Sequence, residues 1–248
     1  MHSITTITLD LDDTLWAIAP VIERAERELW DWLGDRYPRI AERYAPADVA
    51  ALRSEVVDAH PHMHHDLKFL RRTVLARLAE GAGYGAELVG PAFDVFDRYR
   101  NRVTLYPDVT PALERLARDF RLLALTNGNA DLERIGIRHL FADVVTAAEA
   151  GVAKPAAGIF GLACARAGAE PAQVLHVGDH PEFDVAGARA AGLRAAWVNR
   201  HGQPWPEALP APEATVASLG AARRVKCEIE KAERFPRLVV LRGLARTR

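Results

Sequence analysis

The chain has 248 residues, of which 49% are hydrophobic and 26% are charged, and its formal net charge is -1 at pH 7. Since disordered proteins combine low hydrophobicity with high net charge, this composition excludes a disordered scaffold. The length predicts one large domain or two small ones, and two cysteines, Cys164 and Cys227, are too few for a disulfide framework or a cysteine-rich metal cluster.

Charge and hydropathy along the chain bear on partners and location. Residues 223–248 hold nine Lys and Arg against three Asp and Glu, whereas residues 1–222 hold 23 against 30. The acidic body argues against nucleic acid as a partner, and we expect the basic extension to be a solvated segment, with contact to nucleic acid or a membrane surface as the alternative.

Apolar stretches are shorter than the roughly 20 residues of a membrane span, and no basic segment precedes the first one. We therefore expect a cytoplasmic monomer or homodimer that binds no membrane.

Five short apolar runs predict the strands of a parallel sheet. The first, ITTITLDL at 4–11, is rich in β-branched residues and ends in acids. The later runs are RLLALTN at 121–127, ADVVTA at 142–147, VLHVGD at 174–179 and AAWVN at 195–199. Because helix-like segments of crossover length separate these later runs, we predict an α/β fold with a doubly wound parallel sheet.

More than 100 residues without a convincing strand separate the first two runs, far more than a helical crossover requires. Helical periodicity recurs in this interval at 20–33, 46–59, 66–80 and 87–101. We therefore predict three parts, which are a helical domain inserted over residues 17–103, a sheet domain split between residues 1–16 and 104–222, and the basic extension at 223–248.

Acidic residues follow the first and fourth predicted strands. Asp10 and Asp12 are two positions apart, so an extended strand points both to the same side. Asp179 ends VLHVGD, and Asp184 follows five positions later. Ligands of open α/β sheets bind outside the carboxyl ends of the strands, so two acid pairs at this edge predict a bound cation. For Asp10 and Asp12 alone, the alternative is a pair of acids capping a turn.

The same edge of the sheet should receive groups suited to an oxyanion. The second strand ends in Thr126, Asn127 and Gly128, which supply a hydroxyl, an amide and a flexible backbone; an ordinary turn is the alternative. Lys154 is one of only four lysines beside 28 arginines, which favours a compact point charge there over chance placement. Together with the acids, these groups suit Mg²⁺ and a phosphoryl group.

In chain order, DLDDTL, LTNGN, KP and GDHPEFD resemble the four motifs of the haloacid dehalogenase superfamily, and the resemblance covers residues 4–222. It implies a phosphatase that forms an aspartyl-phosphate on Asp10 and uses Asp12 first as an acid and then as a base. It also implies Mg²⁺ on Asp10, on the backbone carbonyl of Asp12 and on Asp179. Asp184 would be either a direct ligand or an acceptor for metal-bound water.

The resemblance also assigns the groups around the phosphoryl oxygens. Thr126 and Lys154 would hold the transferring oxygens, whose charge is stabilised by placed donors and charges. Loop amides, including that of Asp13, would complete a phosphate cradle together with Asn127 and Gly128.

The helical insert resembles the mobile C1-type cap of this superfamily, which closes over the substrate and selects it. His65, Asp66 and Arg71 are candidate substrate contacts on the cap, with helix N-capping as the alternative for Asp66. Trp16, at the hinge into the insert, is a candidate for stacking on a planar ring of the substrate.

A cluster of four histidines in the cap admits a second interpretation. The spacing of these histidines is not regular and no matching partner set is evident, so we favour a solvated loop or capping turn over a metal site. The four residues are His60, His62, His64 and His65.

Longer segments, LDDTLW, PVIERAERELWDWL, LTNGNADL and HVGDHPEFDVAGARAAG, look like the bacterial riboflavin-pathway phosphatases, in the insert as well as in the core. This resemblance implies a phosphorylated small-molecule substrate, either 5-amino-6-(5-phospho-D-ribitylamino)uracil or flavin mononucleotide (FMN). The alternatives are a broad-specificity phosphatase of sugar phosphates or nucleotides, a phosphomutase, a haloacid dehalogenase and a non-catalytic phosphate-binding module. Asp12 and Asp179 argue against the dehalogenase, and Asp13, where mutases usually have Gly, argues against the mutase.

Overall fold

The computed structural model describes residues 3–221, so the basic extension predicted at 223–248 lies outside the described residues. Six parallel strands form one sheet in the order β3-β2-β1-β4-β5-β6. The strands are β1 (Thr6–Leu9), β2 (Arg121–Thr126), β3 (Asp143–Thr146), β4 (Val174–Gly178), β5 (Arg194–Val198) and β6 (Ala214–Val216). The predicted α/β fold with a parallel sheet is therefore confirmed, and β6 is a short edge strand that the sequence analysis missed.

The described residues contain α-helices of very different length. Those before the second strand are α1 (Ala19–Arg36), α2 (Pro38–Arg43), α3 (Pro46–Ala59), α4 (Leu67–Gly81), α5 (Val89–Arg100) and α6 (Val109–Asp119). Those after it are α7 (Leu132–Ile135), α8 (Ala147–Ala150), α9 (Ala157–Ala167) and α10 (Gly187–Ala190), with a π-helical turn at Pro181–Ala186. No helix among these residues is long and apolar enough to cross a membrane.

Helices cover both faces of the sheet, which explains why its strands are apolar at nearly every position. On one face, Leu122 and Ala124 of β2 belong to the same buried cluster as Leu113 of α6. On the other face, Leu125 belongs to a cluster with Ile159 of α9. Alternate residues of one strand thus enter two different cores, as a doubly wound sheet requires.

The register of the three central strands places the candidate site. Leu9 of β1 pairs with Ala124 of β2 on one side and with Val177 of β4 on the other. The carboxyl ends of these strands therefore lie close together. Thr126 ends β2, Asp10 directly follows β1 and Asp179 directly follows β4, so all three lie at one edge of the sheet.

Helices α1 to α5 lie between β1 and β2 and share a hydrophobic core of their own. Leu29 and Leu33 of α1 pack in it with Leu75 and Leu78 of α4 and Phe96 of α5. These helices lie where periodicity predicted them, except for α2, a helix of six residues that begins at Pro38 and was not predicted. The domain boundaries at residues 17 and 104 stay a prediction.

The two connections between this helical insert and the sheet run side by side. Trp16 forms a bridge with Asp12 and an antiparallel bridge with Leu105, and Tyr106 N donates to Leu15 O at 2.9 Å. The chain therefore leaves and re-enters the sheet domain at neighbouring points beside Asp12.

Candidate active site

A buried lysine joins two buried carboxylates at the edge of the sheet. Lys154 Nζ donates to Asp10 Oδ1 and to Asp184 Oδ1, each at 2.6 Å, and to the carbonyl of Leu125 at 3.0 Å. Asp10, Asp184 and Lys154 are at most 7% exposed. The Lys154 ammonium thus has three acceptors, and it offsets part of the negative charge of the acidic cluster.

Asp179 completes a group of three acids. One carboxylate oxygen from each of Asp10, Asp179 and Asp184 lies within 4.8 Å of the others. The hydroxyl of buried Thr14 lies 3.1 Å from both Asp10 Oδ2 and Asp179 Oδ1, and its single hydrogen donates to one of them at a time. Thr14 was not among the predicted site residues, although it belongs to the DLDDTL motif.

The pKa values reflect this crowding. Burial and the nearby carboxylates of Asp184 and Asp13 raise the pKa of Asp179 to about 7. Burial also raises the pKa of Asp10, against the opposing effect of Lys154. Burial alone would raise the pKa of Asp184 too, but the Lys154 ammonium holds it well below its ordinary value.

The donor set fits a hard divalent cation. Closely spaced carboxylate oxygens are the ligands that Mg²⁺ prefers. Burial raises the pKa of Asp10 and of Asp179, and neighbouring carboxylates raise both further. A cation there would favour the ionised form of both side chains.

Asp184 is positioned by a histidine of β4. His176 is fully buried, and its Nε2 lies 3.1 Å from Asp184 Oδ1 while its Nδ1 lies 2.9 Å from Thr8 Oγ1. Because a carboxylate only accepts, Nε2 carries the proton and Nδ1 accepts from the Thr8 hydroxyl. Burial lowers the pKa of His176, which keeps the ring neutral. The backbone N–H of His180 donates to Asp184 Oδ2 at 2.9 Å.

Two glycines make room for acidic side chains. A Cβ on Gly178 would lie 2.3 Å from Asp184 Cγ, and a Cβ on Gly128 would lie 2.7 Å from Asp12 Oδ2. Gly128 also donates its N–H to Thr126 Oγ1 at 2.9 Å. The predicted Thr126 and Gly128 therefore both lie at the site.

Asn127 has a structural task that was not predicted. Its Oδ1 accepts from Lys154 N at 2.7 Å, and its Nδ2 donates to Lys154 O at 3.0 Å. The side chain therefore positions Lys154. Because Nδ2 has a second N–H and Asn127 lines the small pocket of the acidic cluster, binding of an oxyanion by this amide stays a prediction.

Asp13 departs from its predicted role. Its backbone N–H donates to Trp16 O at 2.7 Å, and its Oδ1 accepts from Ile18 N at 2.9 Å. The residue has a φ of 60°, which closes a tight turn. The amide that was predicted to join a phosphate cradle is therefore used to hold this turn.

Asp12 lies above the acidic cluster and is held by two side chains. Trp16 Nε1 donates to Asp12 Oδ1 at 2.9 Å, and Arg100 Nη2 lies 2.9 Å from Oδ1 and 2.7 Å from Oδ2. Burial raises the pKa of Asp12, while Arg100 acts in the opposite direction. Trp16 is itself fully buried. The prediction that Trp16 stacks on a substrate ring is therefore wrong, because its ring is part of the core.

A cavity of about 370 Å³ extends from Asp12 and Arg100 into the cap. Arg71 lines it, packs 3.4 Å above the Phe96 ring and pairs with Glu26 at 2.8 Å. Most of the remaining wall is aliphatic, formed by Ile18, Ile22, Leu29, Leu33, Val49, Val56, Val57, Leu67, Leu70, Val74, Leu75 and Leu78.

The other predicted cap residues lie beside this cavity. His65 and Asp66 line an adjoining depression together with Asn127 of the core, and the two spaces share Leu67, Gly128 and Asn129. Asp66 caps α4 by accepting from Phe69 N at 2.8 Å, as the alternative reading expected. His60 and His64 contact the carbonyls of Val56 and Val57, and no metal-ligand group forms around the four histidines within residues 3–221.

The chain is similar in sequence to known phosphatases. The family model described as haloacid dehalogenase-like hydrolase matches residues 4–192. The chain is 33% identical over 199 residues to the 5-amino-6-(5-phospho-D-ribitylamino)uracil phosphatase YigB of Escherichia coli K12, and this match covers 79% of the chain and 83% of that protein. It is also 39% identical over 147 residues to a phosphoserine phosphatase of Thermus thermophilus. This second match covers 56% of the chain and 59% of that protein.

A solved structure gives a similar result for the fold. The crystal structure of a 2-haloacid dehalogenase from Pseudomonas syringae pv. Tomato DC3000 matches with a TM-score of 0.86 and 39% sequence identity. The match covers 90% of this chain and 97% of that one. The cap is therefore similar as well as the sheet.

Proposed function

We propose that this chain, a phosphatase that belongs to the haloacid dehalogenase-like hydrolases, cleaves phosphomonoesters in two steps with Asp10 as the nucleophile. The observation that carries the proposal is the pair of short contacts from Lys154 Nζ to Asp10 and Asp184, beside a third carboxylate, Asp179. This arrangement supports the proposal, because a carboxylate that could act as nucleophile lies beside an ammonium group and two further carboxylates.

In the first step, an Asp10 carboxylate oxygen attacks phosphorus and the bond from phosphorus to the ester oxygen breaks. Asp12 gives its proton to the departing alcohol oxygen. In the second step, Asp12 takes a proton from water, which attacks phosphorus and returns Asp10 as a carboxylate with release of inorganic phosphate. The raised pKa of Asp12 supports its use as the acid.

Lys154 and Thr126 serve the transferring oxygens. In this proposal the Lys154 ammonium holds a phosphoryl oxygen next to Asp10, and Thr126, which is 1% exposed, offers its hydroxyl beside Gly128. Placed charges of this kind stabilise the spread-out charge of a phosphoryl transition state. Asn127 keeps Lys154 in position through its two backbone contacts.

Asp10, Asp179 and the backbone carbonyl of Asp12 would hold Mg²⁺. Bound there, the ion would neutralise charge on the phosphoryl oxygens and on the carboxylates. Asp184 already accepts from Lys154 and His176 at Oδ1 and from His180 N at Oδ2. These contacts favour Asp184 as an acceptor for metal-bound water over direct ligation.

The cap cavity supports a substrate with a ring. In both 5-amino-6-(5-phospho-D-ribitylamino)uracil and FMN, a ribityl chain separates the phosphate from the ring. A phosphate at Lys154 would leave the ring for the largely aliphatic cavity that begins at Asp12. The relative YigB, whose name gives the first of these compounds, supports the same substrate class. The cytoplasmic location and the monomeric or homodimeric state stay predictions.

The test is phosphate release from FMN, the ribitylaminouracil phosphate, 5′-nucleotides and sugar phosphates, with Mg²⁺ and with a chelator. We expect Mg²⁺-dependent release with preference for the two ribityl phosphates. Asp10→Asn should abolish it, whereas Asp35→Asn on an exposed position of α1 should not. Equal release from all four classes would leave a broad-specificity phosphatase, and full activity of Asp10→Asn would remove the nucleophile assignment.

A second candidate function follows from the similar dehalogenase structure. A dehalogenase would use Asp10 to displace halide from carbon and would release halide from 2-chloropropionate in the presence of a chelator. The acidic group of Asp10, Asp179 and Asp184 favours the phosphatase, because a metal-free displacement has no use for three crowded carboxylates. Halide release without phosphate release would reverse this preference.

A further inference from the structure

Arg100 is a buried cation that links the cap to the reaction centre. It is the last residue of α5, the final cap helix, and it is 2% exposed. Its Nη2 lies within hydrogen-bond distance of both oxygens of Asp12, across 88 positions of sequence. A cap residue therefore contacts the carboxyl group that the proposed function uses as acid and base.

The Asp12 side chain has few other supports. Trp16 donates to Oδ1 at 2.9 Å, and Gly128 lies so close to Oδ2 that a Cβ there would be 2.7 Å away. Arg100 is thus the contact in the described structure that engages Oδ2 and Oδ1 together. Without it, Trp16 alone would restrain one oxygen, and the carboxyl group would be free to rotate.

The guanidinium is only partly satisfied. Within residues 3–221, the Nη1 atom of Arg100 is buried and has no hydrogen-bond partner. A buried polar atom without a partner costs free energy, and replacing a buried ion pair by apolar side chains is often neutral or stabilising. Fold stability therefore does not by itself explain an arginine at position 100. A role in the reaction explains this buried side chain better than a role in stability.

The end of α5 is also fixed to the core. Asn101, the next residue, accepts from Asp131 N at 2.7 Å, and Asp97 pairs with Arg134. Arg100 is therefore held against Asp12 by its neighbours on the same helix end. Asp12 lines both the cap cavity and the small pocket of the acidic cluster, whereas Arg100 lines the cap cavity alone.

We propose that Arg100 is a positioning residue for Asp12, which it holds at the border between the cap cavity and the acidic cluster, where the leaving oxygen of the substrate must lie. This inference rests on the proposed function. Because the guanidinium belongs to the cap, the acid is oriented only while the end of α5 is seated on the core. Arg100 itself transfers no proton.

The test compares Arg100→Met and Arg100→Lys in the wild-type and Asp12→Asn backgrounds, with Arg77→Met as the control. Arg77 is an exposed arginine of α4 in the same helical insert, away from the end of α5. The substrates are phenyl phosphate and p-nitrophenyl phosphate, because the poorer leaving group depends more on proton donation. Circular dichroism and thermal melting establish that each variant is folded.

We expect Arg100→Met to lower kcat for phenyl phosphate about tenfold or more and to lower it much less for p-nitrophenyl phosphate, with a small change in KM. In the Asp12→Asn background the same substitution should cause no further loss. Arg77→Met should behave as the wild type. Equal losses for both substrates, or a full additional loss in the Asp12→Asn background, would overturn the proposal.

A crystal structure of Arg100→Met, or of Arg100→Lys if the Met variant does not fold, gives a readout that needs no activity. We expect the Asp12 carboxyl group to leave its present position beside Trp16 and Gly128. An unchanged Asp12 would overturn the positioning role even in an active enzyme. If the wild type released no phosphate, the proposed function would fail. The position of Asp12 in the crystal structure of the variant would still decide whether Arg100 positions it.

Discussion

His176 Nε2 lies 3.1 Å from Asp184 Oδ1, and the same oxygen accepts from Lys154 Nζ at 2.6 Å. A neutral imidazole in the middle of the sheet therefore fixes the acid that in turn fixes the lysine beside Asp10. This chain of contacts begins at the Thr8 hydroxyl in β1. The Lys154 side chain is thus held by Asp184, which His176 positions, while Asn127 holds the Lys154 backbone.

Replacing His176 should weaken both the fold and the site. His176→Leu leaves Thr8 and one oxygen of Asp184 without this partner, and we expect it to lower the free energy of unfolding by about 1–3 kcal/mol. His176→Gln, which keeps a donor, should lose less. Urea denaturation of both variants measures the difference. Equal stability of His176→Leu and the wild type would show that the imidazole contacts contribute nothing.

The titration of Asp179 predicts a pH-dependent stability that Mg²⁺ should reverse. Its pKa is about 7 in the folded chain against an ordinary value of 3.8, so the folded state binds this proton more tightly than the unfolded state. The contribution of Asp179 to stability should therefore fall as the pH rises from about 4 to 7 in the absence of metal, by an amount on the order of a few kcal/mol. Burial raises the pKa of Asp10 in the same direction. The lowered pKa of His176 contributes in the opposite direction below about pH 6.5.

Thermal unfolding at a series of pH values, with a chelator and with Mg²⁺, measures this effect. Mg²⁺ should raise the melting temperature most above pH 7, where no proton competes for Asp179. Asp179→Asn should remove most of the Mg²⁺ effect. Because His176 contributes the same slope to both proteins, the chelated wild type should lose stability relative to Asp179→Asn from pH 5 to pH 7, and a gain relative to that variant would contradict the assignment.

Two glycines that differ in their surroundings give a matched pair of variants. A methyl group on Gly178 would lie 2.3 Å from Asp184 Cγ, whereas one on Gly161 in α9 would meet nothing within 4 Å. We expect Gly178→Ala to destabilise the protein by about 1–3 kcal/mol and to weaken Mg²⁺ binding. Gly161→Ala should stabilise it by about 0.5–1 kcal/mol, because alanine favours a helix interior. Urea midpoints and Mg²⁺ titrations check both, and a loss of equal size for the two variants would argue against a specific contact.

The leaving group should reveal the role of Asp12. Asp12→Asn removes the proton donor but keeps the shape of the side chain, so we expect a loss of about 10²–10⁴ in kcat for alkyl phosphates. The loss should be smallest for p-nitrophenyl phosphate, because its leaving group needs little protonation. Steady-state kinetics on both kinds of substrate provide the comparison. The same fractional loss for all of them would make Asp12 a structural residue.

The sequence predicted those parts of the site that follow strand ends. Asp10, Thr126 and Asp179 come directly after apolar runs, and parallel strands bring such residues to one edge. Lys154 was recognisable because lysine is rare in this chain. The fold class followed from the same runs, whereas β6 has only three residues and gives a weak signal.

Other residues of the site could not be found in this way. Arg100 lies 88 positions from Asp12, and one arginine among 28 carries no mark of a special role. His176 occupies an ordinary position in a predicted strand. The error on Trp16 arose because a position at the hinge into the insert does not determine whether the ring is buried in the core. Asn127 and Asp13 were placed at the site, but their hydrogen-bond partners depend on the folded loops.

The adjacent crossing points at Trp16 and Leu105 have a consequence for how the molecule can be altered. Because the outgoing and returning segments lie side by side, the helical insert has the geometry of a long hairpin loop on an otherwise complete sheet. Its length and sequence can change without moving any strand. A short turn between these two points would give a sheet domain that keeps the acidic cluster of Asp10, Asp179 and Asp184 but lacks Arg100. The acidic cluster and the residue proposed to position Asp12 are therefore encoded in separate stretches of the chain.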